Sequence, residues 1–171
     1  MRPILVLLGL LVFMLGLSAL ILSIPEPING HAMAHHTVDG MRQVGDIRQQ
    51  SDPVFGAGYL LGILIYLVIS VLVYIGVQPE KRDGKLVLAH TAATLTVLGM
   101  WSLLMYLFRQ YLLTGDPTIV FGFPLPTLVM LLGVWIAPMS FSLIYILGFK
   151  RWVFTPEDEK TFRKLLESKQ S

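Results

Sequence analysis

Four stretches of this chain run the length of a membrane crossing with no Asp, Glu, Lys or Arg in their interiors: about 4–23, 55–77, 86–108 and 127–149. A helix needs roughly 20 such residues to cross about 30 Å of hydrocarbon. Lipid offers no partner to a free backbone N–H or C=O, so each run is expected to be helical. The chain is 54% apolar and only 14% charged, with a mean hydropathy of +0.69, outside the range of an ordinary soluble domain. The expected fold class is all-α, a polytopic membrane protein. Residues 1–154 form a four-helix transmembrane domain, with an outer loop over 24–54. Residues 155–171 form a cytoplasmic amphipathic C-terminal helix.

The first run follows Arg2 and is longer than the apolar part of a signal peptide, with no small-x-small pair before Pro25; retention is expected. Gly9 and Gly16 lie on one face of it, open to close approach by a neighbouring helix. In the second run Gly58-Tyr-Leu-Leu-Gly62 is a GxxxG packing motif. The third is the most polar. His90, Thr94, Val97 and Trp101 recur at helical spacing, so the stripe should face protein, with His90 hydrogen-bonded to a neighbouring helix rather than ligating a cofactor. The fourth run carries Pro138 near its middle, which should kink it. After it, Thr155-Pro-Glu-Asp158 reads as a capped helix start, leading to a tail with Phe162, Leu165 and Leu166 on one side.

The outer loop has helical character from about His31 to Gln50. A helix there aligns His31, His35 and Asp39 at i, i+4, i+8, a workable ligand set for zinc, copper or nickel. A polar surface helix with solvated histidines accounts for the same residues and is the expectation carried forward.

With the N-terminus inside, inner segments hold ten basic residues against three outside (Arg42, Arg48 and Arg109). That asymmetry predicts both termini in the cytoplasm of a cell whose inner membrane the chain spans several times. The net charge of +2 gives no reason to expect nucleic acid. The chain has no cysteine, which excludes disulfides, thiolate nucleophiles and Cys-ligated metals. No span holds a buried charge of the sort ion-coupled transport relies on, and no hydrolase or phosphate-binding motif occurs. No enzymatic activity and no cofactor are expected.

The turn FGFPLP and the following GVWIAPMSFSLIY resemble small membrane proteins associated with sodium:solute symporters. The resemblance runs from Phe121 to Leu166. It implies a non-catalytic accessory subunit of a transporter, whose partners are other integral membrane subunits and the lipid bilayer. Two alternatives are a small subunit of a respiratory complex, contacting quinone or haem subunits, and a metal-binding membrane protein acting through the outer loop.

Overall fold

The structure, a computed structural model, describes residues 2–25, 33–43, 48, 51–116 and 118–170. Four helices among them are long and apolar enough to cross a membrane: Pro3–Leu22, Phe55–Ile75, Gly84–Thr114 and Leu125–Leu147. The protein is an all-α membrane protein in this sense. The first three spans are α1 (Arg2–Leu22), α2 (Phe55–Ile75) and α3 (Gly84–Thr114). The fourth is built from α4 (Leu125–Leu128), a π-helical stretch Val129–Val134, and α5 (Met139–Leu147). A further π turn, Phe149–Val153, leads to α6 (Pro156–Gln170).

The ends of α3 show how local chemistry sets a helix. Asp83 caps its start, the carboxylate accepting from Leu86 N–H at 2.8 Å. Gly115 ends it at φ 70°, with its N–H donating to the carbonyl of Tyr111. The crossing expected over 86–108 lies within this helix, which runs on past Arg109 to Thr114. At Arg109 the charge is met by Asp52 and the guanidinium lies 5.1 Å over the ring of Phe55. The left-handed glycine is the first residue suited to a stop.

Over 33–43 the outer loop departs from the helix expected of it, while Arg48 and Ser51, at its far end, are helical, with Asp52 N–H donating to Arg48 O at 2.9 Å. Met33–Ala34 (β1) pairs antiparallel with Arg42–Gln43 (β2), and His35 N–H donates to Met41 O at 2.9 Å. Gly40 turns the chain at φ 81°. That left-handed conformation is open to glycine and breaks a right-handed helix at this point. His31 and most of 44–50 lie outside the described residues. A second hairpin, Ile119–Val120 (β3) with Phe123–Pro124 (β4), forms the Pro-rich turn before the fourth span. Its corner is Phe121 at φ 50° followed by Gly122 at φ 80°.

Pro138 does interrupt the fourth span. It has no N–H for the carbonyl of Val134, and Ala137–Pro138 forms a turn between the π stretch and α5. Ser140 restarts the helix after the turn, its N–H and its hydroxyl both donating to Ala137 O, at 3.0 and 2.6 Å.

The spans pack in sequence order: α1 along α2, α2 along α3, and α3 along the π stretch and α5. The core lies where the last three meet. Ala93, Val97 and Phe141 are buried there, with Tyr66, Val73, Ala137 and Ile144 around them. α1 stands outside this core. Nothing lies within 4 Å of where a Cβ on Gly9 or Gly16 would stand, so the face offered to a neighbouring helix has no partner within the described chain.

Candidate functional site

The tight turn from Gly76 to Asp83 folds α2 and α3 into an antiparallel hairpin. Residues equidistant from that turn therefore meet across the seam. Nearest the turn they form a polar knot. The Ser70 hydroxyl lies 2.9 Å from His90 Nε2 and 2.8 Å from Thr94 Oγ1. Thr94 Oγ1–H donates back to the carbonyl of His90 at 2.9 Å. Ser70 is 6% exposed, so this side chain depends on protein partners alone. The rings of Tyr74 and Phe141 flank His90 with centroids 5.5 and 5.4 Å away, closing the knot against three spans.

Further along the seam Trp101 Nε1–H donates to the carbonyl of Tyr59 at 3.0 Å. The Tyr59 hydroxyl is 2.9 Å from Ser102 Oγ. The Trp101 indole lies against the open face of Gly62. Gly58, one turn earlier, has nothing within 4 Å of a Cβ position. The two glycines of the GxxxG motif thus have different surroundings: Gly62 receives an indole from α3, and Gly58 is open. His90, Thr94 and Trp101 all reach α2.

The seam is clasped at both ends. At one, Asp52 pairs with Arg109, and Phe55 stacks on Phe108 with centroids 6.4 Å apart. At the other, Asp83 accepts from Arg151 Nε at 2.9 Å and from Trp152 Nε1 at 3.1 Å. These donors, led by the Leu86 N–H, hold the Asp83 carboxyl below the usual carboxylate range. Beside it Lys81 donates to Val153 O at 2.9 Å and pairs with Asp158. Asp158 also accepts from the N–H and hydroxyl of Thr155, and its pKa is lowered to about 2, with Lys81 the first cause.

The metal set proposed from spacing is not assembled by a helix. His35 Nδ1 accepts from the N–H of Thr37 at 3.3 Å and lies 3.1 Å from its hydroxyl. Its ring stacks on His36 at 4.9 Å, and Asp39 is exposed in the hairpin turn. His31 lies outside the described residues, and among the described residues no three His, Asp or Glu side chains gather as a metal-holding group. A ligand on His90 Nε2 would first have to break the bond to Ser70.

Chemically the knot is two hydroxyls and an imidazole that satisfy one another inside the hairpin. Interhelical hydrogen bonds in membranes average about 0.6 kcal/mol and reach about 1.7, enough to fix helix register. Phe162, Leu165 and Leu166 are on α6, which stands off the bundle and leaves all three exposed. Sequence reasoning missed Ser70, Tyr74 and the Asp83 clasp. The hairpin's mirror pairing could have found Ser70, because it is the residue of α2 that lies opposite the polar start of α3. No family model, curated protein or solved structure matches this chain.

Proposed function

We propose that this chain is a non-catalytic accessory subunit of a larger inner-membrane assembly, with both termini in the cytoplasm, and that it works by contact. The observation that carries this reading is the state of α6. It is tied to the bundle through Asp158 and Lys81, while Phe162, Leu165 and Leu166 are 54%, 63% and 46% exposed. A helix this short is marginal alone in water and gains stability by laying its apolar side on something else. The unpartnered face of α1 at Gly9 and Gly16 supports the same reading within the membrane. The resemblance of the stretch from Phe121 to Leu166 to small proteins associated with sodium:solute symporters supports a transporter as that assembly.

The test is replacement of Phe162 and Leu166 together by Glu, alongside truncation after Phe154. Co-purification of the partner should fall sharply in both, with the protein still inserted. Unchanged recovery of the same partner by both variants would rule out α6 as the interface. Mass spectrometry of what co-migrates in mild detergent separates a transporter from a respiratory complex. Orientation is checked with reporters fused after Gln49, Asp83 and Ser171, which should read outside, inside and inside; an outside signal at Ser171 would reverse it.

A further inference from the structure

A shallow apolar groove of about 290 Å³ opens sideways between the start of α3 and the end of α5. Ala89, Leu143 and Leu147 line its lower part, while Lys85, Arg151 and Trp152 stand at its mouth. We infer that this groove holds one acyl chain of an anionic phospholipid whose phosphate is bound by Lys85 and Arg151. The assignment goes beyond the accessory role and does not depend on any protein partner.

Charge selects the occupant. The Lys85 side chain is exposed and has no ion-pair partner among the described residues. Arg151 uses Nε and one terminal nitrogen on Asp83, which fixes its guanidinium at the mouth and leaves the other terminal nitrogen for an outside acceptor. The first-turn N–H groups of Gly84 and Lys85 have no intrahelical acceptor, and the positive end of the 31-residue α3 favours an anion beside them. Trp152 donates its indole N–H to Asp83 at 3.1 Å, so its ring is held where an indole belongs, at the boundary between headgroups and chains. Below that level the groove is apolar, as an acyl chain requires. A protein helix would match the apolar part but would leave Lys85 at the mouth without an anion; a free phosphate would leave the groove empty.

The experiment is native mass spectrometry of the full chain released from vesicles of equal parts phosphatidylglycerol and phosphatidylcholine. Phosphatidylglycerol should be retained preferentially, and inorganic phosphate should not displace it. A cation near a membrane surface contributes about 1 kcal/mol, so Lys85→Gln should lower retention about fivefold, and Lys85→Arg should restore it. Ala89→Trp, which fills the groove and keeps every charge, should lower it as well. Lys164→Gln on α6 should have no effect. Equal retention of the two lipids would overturn the inference. So would displacement by inorganic phosphate, full retention by Ala89→Trp, or a loss in Lys164→Gln equal to that in Lys85→Gln.

Discussion

Gly62 and Ser70 are small residues of α2 with different tasks. Gly62 provides absence: the Trp101 indole occupies the space that a side chain would fill, and its N–H is held by the Tyr59 carbonyl. The ring therefore cannot swing away without losing that bond. Gly62→Val should lower stability by about 1–3 kcal/mol through overpacking. It should also shift the Trp101 contribution to the fluorescence spectrum, whereas Gly58→Val, where the space is open, should leave both unchanged. Denaturant titration in detergent measures the first, and the emission maximum the second; equal effects from the two glycines would refute the packing account. Ser70 provides a hydroxyl in place of space, joining the imidazole and the threonine of α3.

At the scale of the element, α6 is held by one acidic side chain whose ionisation decides the latch. The Asp158 pKa is lowered from 3.8 to about 2, so the carboxylate form is favoured by the folded contacts. That contribution is fully present above the unfolded pKa and is lost as pH falls through about 2. Between about pH 4 and pH 2 α6 should detach from Lys81 while the spans stay intact. Spin labels on α6 and in the turn before α3 should report a widened distance distribution in that window, and Asp158→Asn should show it at neutral pH; an unchanged distribution in the variant would reject the latch. The helix start at Thr155-Pro-Glu-Asp158 was legible because capping is local chemistry. The same holds for the four spans, whose apolar runs carry their own length. The outer hairpin was not legible. Three-residue spacing in Met41, Val44 and Ile47 suggested a helix, and the left-handed turn at Gly40 settled 33–43 otherwise, whereas Arg48 and Ser51 are helical. Nor was the segmentation of the fourth span, since Pro138 announced a kink but nothing announced the π stretch before it. The stripe on α3 was visible as a pattern, but its partner Ser70 became apparent only with the register of the hairpin.

At the scale of the molecule, the ion pairs that join different elements among the described residues gather at two levels: Asp52 with Arg109 at one end, and Asp83 with Arg151 and Lys81 with Asp158 at the other. All are exposed to some degree, and pairs of this kind contribute about 0–1 kcal/mol each and weaken with salt. Arg109→Met should therefore cost no more than about 1 kcal/mol and flatten the salt dependence of unfolding, a comparison made by denaturant titration at low and high ionic strength. A loss several times larger would mean that Arg109 carries more than its pair with Asp52 and its place over the Phe55 ring. Asp83 and Arg109 both belong to α3 or its cap, and at about 1.5 Å per residue they stand about 39 Å apart along its axis. A bilayer with its headgroups measures about 40–45 Å. The helix thus has the dimensions of a gauge: upright in a membrane of ordinary thickness, its two fastened ends would lie at the two polar layers. A thinner sheet would be met by tilting the rod, and a thicker one would draw a fastening toward the chains.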